Sequence, residues 1–275
     1  MLTMVVASSY NRPMIARFYC PESAVRLAAG QAVALPEAVA HHALKVLRLR
    51  QGDALVLFDG TGGEYPATIV ESGRHVQVRL DARRELECEA PLSVTLIQAL
   101  PSGDKMDLVI QKAVELGVAA IQPVQAKRSV LRLTGERAHK RLAHWQQVAI
   151  SACEQSGRNR VPEVHDLLAL PDYLATLTAS RDASVLRLLL SPHHALRLSE
   201  LPQVSSANST HSTNSAHPPS AVQLLVGPEG GFEAAEEDMA RAAGFQPVRL
   251  GPRVLRTETA GLAALAALMT LWGDF

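Results

Sequence analysis

Residues 222–262, VQLLVGPEGGFEAAEEDMARAAGFQPVRLGPRVLRTETAGL, decide how this chain is read. Val222 to Val226 is an unbroken apolar run of the length of a buried strand. It stops at Gly227-Pro228-Glu229-Gly230-Gly231, and a helical pattern starts near Phe232. A second short strand, Pro247 to Leu250, runs into Gly251-Pro252-Arg253 and a second helix. Two strand-turn-helix units back to back place two loops at strand carboxyl ends. In open α/β sheets small molecules bind there. Glycines in both loops remove side-chain bulk where backbone must approach a ligand.

The ligand class narrows by exclusion. GPEGGF does not fit the dinucleotide fingerprint G-x-G-x-x-G, and no Gly-Lys-Ser/Thr tripeptide of a phosphate loop occurs. Pro228 fixes one backbone dihedral, so the loop presents rigid backbone groups. Taken alone, the first loop fits a plain tight turn equally well, since Gly-Pro turns are common. The second loop is what tips the balance toward a ligand site.

The bulk properties exclude more than they establish. The chain has 275 residues, room for one large or two medium domains. Its formal net charge is zero, so no global electrostatic signal for nucleic acid exists. Lys and Arg outnumber Asp and Glu between Leu100 and His165, which a solvated face explains as well as an RNA footprint does. Cys20, Cys88 and Cys153 lie far apart, which speaks against a disulfide framework or a zinc site. The longest apolar segment, Gly261 to Trp272, falls short of a membrane span. The N-terminal MLTMVVASS lacks a basic region ahead of its apolar start, so no signal peptide is read there. A cytoplasmic protein is expected, with neither metal nor membrane among its partners.

Residues 1–16 show little periodicity and read as an extension. From 17 to 89 short strands recur between turns: Ala54 to Phe58, Glu64 to Val70 and Val76 to Leu80, with Asp59-Gly60-Thr61-Gly62-Gly63 between the first two. That spacing predicts a small antiparallel barrel, covered by a short helix with Ala40, Ala43, Leu44 and Leu47 on one face. From 90 to 275 strand and helix alternate, the mark of an α/β fold. Val94 to Leu100, Ala119 to Val124 and Val185 to Leu190 read as strands. Met106, Val109, Ile110, Ala113 and Leu116 stripe one helix, with Gly117 as its cap. Leu142, Trp145, Val148, Ala149 and Ala152 stripe a longer one ending near Gly157. Leu262, Leu265, Leu268, Met269 and Trp272 suit a core stripe or an interface. Ser, Thr, Asn, His and Pro dominate residues 203–221, a flexible insertion by composition. His194, His211 and His217 are spaced too loosely to predict a metal site.

GPEGG at 227–231 followed by LGPRVLRTETA at 250–260 resembles the SPOUT methyltransferases. Within them the chain is similar to the bacterial 16S rRNA (uracil(1498)-N(3))-methyltransferase family. GDKMDLVIQKAVELGVAAIQPV at 103–124, HWQQVAISACEQSGRNRVPEV at 144–164 and HHALKVLRLRQGDALVLFDGTGGEYPATI at 41–69 agree in order, so the match spans most of Arg17 to Phe275. The resemblance implies a trefoil-knotted SPOUT domain behind a PUA-like RNA-binding β-barrel, and a homodimer. It implies S-adenosylmethionine as methyl donor and N3 of one uridine of small-subunit rRNA as acceptor. No periodicity could reveal a knot, since knots are nearly absent from proteins.

The resemblance also assigns candidate residues. The backbone of Val226, Gly227, Pro228, Glu229, Gly230 and Gly231 and that of Leu250, Gly251 and Leu255 would wrap the cofactor. Leu189, Leu190 and Ser191 would form a third wall. Uracil N3 is a weak nucleophile until its proton leaves, and the resulting charge spreads onto two carbonyl oxygens. Arg256 and Glu258 are candidates for that chemistry. Thr257 reads as the helix N-cap, and Glu258 in the first turn also suits the helix dipole with no catalytic role. Arg253 could hold phosphate. Arg158, Asn159 and Arg160 are candidates for RNA contact, extended by Lys127, Arg128 and Arg132. Three other readings stay open from sequence: a SPOUT enzyme with another RNA target, a non-catalytic RNA-binding protein, and a nicotinamide dehydrogenase, the last disfavoured by the missing fingerprint.

Overall fold

The computed structural model describes residues 15–73, 75–179, 184–192, 195–201 and 219–275. His194, His211 and His217 lie outside the described residues, as do nearly all of 1–16 and of 203–221. Contacts divide the chain into two units. The first runs to Cys88 and takes in Gly157–Val161; the second comprises Glu89–Ser156 and Pro162 onward.

In the first unit the strands are β1 (Ala16–Tyr19), β2 (Ala32–Ala34), β3 (Ala54–Phe58), β4 (Tyr65–Ser72) and β5 (Val76–Leu80). They form one sheet in the order β1-β3-β4-β5-β2. The β3-β4-β5 meander is the expected antiparallel pattern, but β1 pairs with β3 in parallel. The unit is therefore a mixed sheet, where turn spacing predicted an antiparallel one. The two short strands missed by that spacing, β1 and β2, take its flanks. Asp59 accepts hydrogen bonds from the Thr61 N–H and hydroxyl, building the β3-β4 turn. Phe18, Leu55, Leu57, Ile69, Val78 and Leu80 fill the core.

The covering helix, α1 (Glu37–His41), passes into a π turn, His42–Val46. Ala43 is fully buried and Ala40 and Leu44 pack on the core, as the stripe predicts. Leu47 does not join them and is 45% exposed. The extra residue in a π turn rotates everything after it off an α-helical stripe.

Gly157–Val161 is held in the first unit by specific bonds. Asn159 accepts from the Arg17 guanidinium at 2.5 Å and donates to the Leu86 carbonyl at 2.7 Å. Arg17 also meets the buried Glu64 at 2.5 Å, and Arg160 forms isolated bridges with Gly60 and Thr61.

The second unit holds β6 (Ser93–Ala99), β7 (Ala120–Gln125), β8 (Glu163–Val164), β9 (Leu168–Ala169), β10 (Val185–Leu190), β11 (Leu196–Arg197), β12 (Ala221–Val226) and β13 (Gln246–Arg249). All pair in parallel, in the order β11-β13-β10-β12-β6-β7-β8, with β9 also on β7. Its helices are α2 (Lys105–Glu115), α3 (Gly135–Ser156), α4 (Leu170–Ala179), α5 (Ala234–Ala242) and α6 (Thr257–Trp272). Side chains alternate across a strand. Ile97, Ala99, Leu189 and Leu225 join α4 and α5 residues in one cluster. Alternation turns Leu96, Gln98 and Leu224 to the other face, where α6 packs on α2, β12 and β6. Leu265, Leu268 and Met269 of α6 are fully buried, so that stripe is core, while Leu262 and Trp272 are half-buried.

Arg187 interrupts the apolar β10 run. It is 8% exposed and spends its guanidinium on Gln223 at 2.9 Å and on the Ala243 carbonyl at the end of α5, at 2.8 Å. A cation there complements the carboxyl end of the helix. Among the described residues no helix is long and apolar enough to cross a membrane.

Candidate functional site

The sheet order makes the site. β12 enters between β10 and β6, so the loop after β12 lies beside the loop after β6, and the loop after β13 lies beside that after β10. Such a reversal of strand order opens a crevice at the carboxyl ends of the strands.

Two glycines of the first loop have readable reasons. A Cβ on Gly227 would stand 3.2 Å from the Phe232 ring, which closes the loop from below. Gly231 has φ of 67°, the left-handed region that glycine adopts without strain. Its N–H donates to the Pro228 carbonyl at 2.9 Å, tightening the turn. Arg128 packs along Gly230 and donates to its carbonyl at 3.0 Å. The Glu236 carboxylate, 5% exposed, accepts from the Lys127 and Glu233 N–H groups and anchors the start of α5.

Thr257 joins the two loops. Its hydroxyl donates to the Gly227 carbonyl at 2.5 Å and accepts from the Gln98 amide at 3.0 Å. It is the first residue of α6, not the N-cap. That place is held by Arg256, whose carbonyl accepts from Thr259 and Ala260. The hydroxyl expected to close a helix end is spent across the sheet, fastening β6, the GPEGG loop and the start of α6 together.

A charged cluster lies over this junction. One oxygen of Glu229 accepts from the Ser102 N–H at 3.0 Å, the Ser102 hydroxyl at 2.6 Å and Lys105 Nζ at 2.8 Å. Burial alone would push the Glu229 carboxyl up, but these donors outweigh it and hold it down at about 2. The hydrogen bond to Glu229 in turn raises the Lys105 ammonium. The same ammonium stands 3.6 Å from Glu258, one of whose oxygens is buried with no hydrogen-bond donor among the described residues.

Sequence reasoning missed Ser102, Lys105 and Gln98. A signal existed for Lys105: a cation at the first position of a helix opposes the dipole, a cost that nearby carboxylates offset. Gln98, wholly buried in an apolar strand, offered no pattern.

Of the expected cofactor residues, Leu189 and Ser191 are buried at the end of β10, with the Ser191 N–H on the Val248 carbonyl. Leu190, Leu250, Gly251 and Leu255 are partly exposed. A Cβ on Gly251 or Gly231 would meet nothing within 4 Å. Among the described residues the N–H groups of Gly251 and Leu255 meet no acceptor in the protein. Arg253, Val254 and Arg256 are exposed in the same loop.

The RNA candidates separate. Lys127 and Arg128 are exposed beside the first loop, and Arg132 donates to the Lys127 carbonyl at 2.5 Å. Asn159 is wholly buried with its amide engaged at both ends, and Arg158 is 4% exposed. In this arrangement Asn159 spends its amide inside the first unit, and Arg158 is buried beside it in the chain. Arg160 is exposed and paired with Glu87 at 3.4 Å. A cleft of about 480 Å³ elsewhere, lined by Leu131, Leu133, Arg137, Lys140, Arg141 and His144, reads as a solvated face. Three of its four basic groups already face Glu136, Asp104 and Asp107.

Comparison with known proteins fits this geometry. A family described as RNA methyltransferase domain matches residues 88–269, and one described as RNA methyltransferase PUA domain matches residues 35–81. The chain belongs to this RNA methyltransferase family. Within the family it is 32% identical to the ribosomal RNA small subunit methyltransferase E of Buchnera aphidicola, over 89% of this chain and 92% of that one. It is similar to the Neisseria gonorrhoeae ribosomal RNA small subunit methyltransferase E solved with S-adenosylmethionine, at TM-score 0.81 and 42% identity, covering 95% of this chain and 99% of the other. A Legionella pneumophila methyltransferase solved with the same cofactor gives TM-score 0.82 and 34% identity, with coverage of 95% and 99%.

Proposed function

We propose that this chain transfers a methyl group from S-adenosylmethionine to N3 of uridine 1498 in 16S rRNA of the small ribosomal subunit. The observation that carries this reading is the pair of glycine loops fastened by Thr257 at a switch in strand order, in a chain so similar to cofactor-bound relatives. When bound, S-adenosylmethionine supplies an electrophilic methyl on a sulfonium. The backbone from Val226 to Gly231 and from Leu250 to Leu255 would hold it, with Leu189, Leu190 and Ser191 as the third wall.

The protein must then manage the base. N3 lies on the pairing edge, so the uridine has to be unpaired or extruded. Glu258 would accept the N3 proton; its carboxylate in the first turn of α6, held by the Lys105 ammonium at 3.6 Å, supports this reading. Arg256, exposed at the start of α6, would face a uracil carbonyl as charge develops there. The N3 lone pair then bonds the methyl carbon as the carbon–sulfur bond breaks. Lys127, Arg128 and Arg160 would contact phosphates, which positions RNA without reading sequence.

Three parts of the reading extend from family resemblance: a trefoil knot through which α6 is threaded, a homodimer, and residence in the cytoplasm with the ribosome. Leu271 and Phe275, exposed at the end of α6, are the apolar groups a second copy could cover.

The test incubates the protein with tritiated S-adenosylmethionine and small subunits from a strain lacking this modification, then maps label by nuclease digestion and mass spectrometry. Label on N3 at one 16S uridine is expected. Cofactor binding without transfer to that rRNA would send the search to another RNA.

A further inference from the structure

Glu258 Oε2 poses a question the proposed reaction leaves open. It is buried, lacks a hydrogen-bond donor among the described residues, and belongs to a carboxylate in the first turn of α6, directly after the second loop. An ionised oxygen so placed costs free energy unless a compensating charge is near. The cation facing it is Lys105 Nζ at 3.6 Å. That distance is an ion pair and not a hydrogen bond. With Oε2 turned inward to the ammonium, the other oxygen of the carboxylate is the one left to meet a proton from outside.

Lys105 is itself fixed from the opposite side. It opens α2, where the dipole disfavours a cation, and Glu229 offsets this with a 2.8 Å contact. Glu229 is oriented in turn by both donors of Ser102. Three segments that follow β6, β12 and β13 thus meet at one ammonium. A four-carbon side chain normally samples many rotamers; here two carboxylates from two other segments restrict it.

We propose that Lys105 is a positioning residue for methyl transfer: pinned by Glu229, its ammonium holds the Glu258 carboxylate where an unpaired uracil meets it. This rests on the reading of Glu258 as acceptor of the N3 proton. Lys105 stays protonated throughout. The proton moves from N3 to Glu258, the N3 lone pair forms the new bond to carbon, and the bond from carbon to sulfur breaks. Lys105 neither gives nor takes an electron pair; it fixes where the carboxylate stands. Misplacing a reacting group by about 1 Å can cost on the order of 100-fold in rate.

The test is a double-mutant cycle on Lys105→Met and Glu258→Gln, with Lys105→Arg as the conservative variant. Rates are measured under saturating cofactor with small subunits as substrate. Melting temperature and cofactor affinity by calorimetry are recorded for each variant. Loss of a general base costs about 10²–10⁴-fold, so E258Q is expected in that range. K105M is expected to lower kcat at least 10-fold, within the roughly 100-fold bound for misplacement, while KM for the cofactor stays within about twofold. K105R should recover most of that rate, because the charge is retained. The double variant should be no slower than E258Q alone, since residues acting through one another are non-additive.

Losses that multiply in the double variant would show that Lys105 acts independently of Glu258 and overturn the proposal. A K105M enzyme with unchanged kcat beside a slow E258Q would overturn it alone. A K105M defect confined to melting temperature and cofactor affinity would do the same, reducing Lys105 to a fastener of the loops. A fast E258Q enzyme would remove the Glu258 reading, and the proposal with it.

Discussion

A single hydroxyl, that of Thr257, joins the two loops of the site, and its loss should be felt at both ends. Thr257→Val keeps the shape but leaves the Gly227 carbonyl without its donor and the buried Gln98 amide without one of its acceptors. Leaving a buried polar group unpaired costs about 1–3 kcal/mol, so urea unfolding should show a loss of that size. Cofactor binding should weaken as well, because the carbonyl belongs to the GPEGG loop. Glu229 gives a second prediction. Its folded value of about 2 lies below its ordinary 4.5, so the folded state favours the ionised form. The stability this contributes is present above the ordinary value and is lost as pH falls from about 4.5 toward 2. Glu229→Gln should flatten acid unfolding in that window, measured by circular dichroism at successive pH values. At this scale the sequence was partly readable. It pointed to the loops and to Glu258, yet placed the Thr257 hydroxyl at a helix cap. Nothing in a linear pattern says that Gln98 on a distant strand will donate to it.

Among elements, those with strong period or strong punctuation were legible. β3, β5 and β10 run as their apolar patterns predict, because a buried strand leaves little freedom in which residues face inward. Short flanking strands were not: β2 has three residues, too few to show alternation. The π turn after α1 breaks the helical period in mid-stripe, which is why Leu47 points outward. The α6 stripe left core and interface as equal readings, and burial of Leu265 and Leu268 now decides for core. The central strands carry the load. Leu225 on β12 is fully buried between α4 and α5 residues, and Leu225→Ala should cost about 2–5 kcal/mol. Leu108→Ala on the exposed side of α2 should stay within about 0.5 kcal/mol, since that side chain is 45% exposed. Denaturant midpoints of the two variants check the contrast.

For the whole molecule, a bound cofactor should register as stability. A ligand held only by the folded state adds about 2.7 kcal/mol at 100 times its Kd. A melting temperature that climbs with S-adenosylmethionine and stays flat with a nicotinamide dinucleotide would match the switch-point crevice and the missing dinucleotide fingerprint. Family membership was readable from the motifs because each string does more than one structural job: GPEGG both ends β12 and turns tightly, and LGPRVLRTET both follows β13 and starts α6. The contacts of Gly157–Val161 with the first unit were not readable. EQSGRNRVP looks like a basic helix terminus, and only the folded chain shows Asn159 held between Arg17 and Leu86. The central claim is that this chain marks one uridine on its pairing edge. A methyl on N3 blocks Watson–Crick pairing and halts a reverse transcriptase. Primer extension along 16S rRNA should therefore be run on a strain lacking the modification, with and without this chain supplied in cells. A stop appearing at position 1498 only when the chain is present, and absent with E258Q, is the predicted result. Read-through at that position with the folded, cofactor-binding chain present would contradict it.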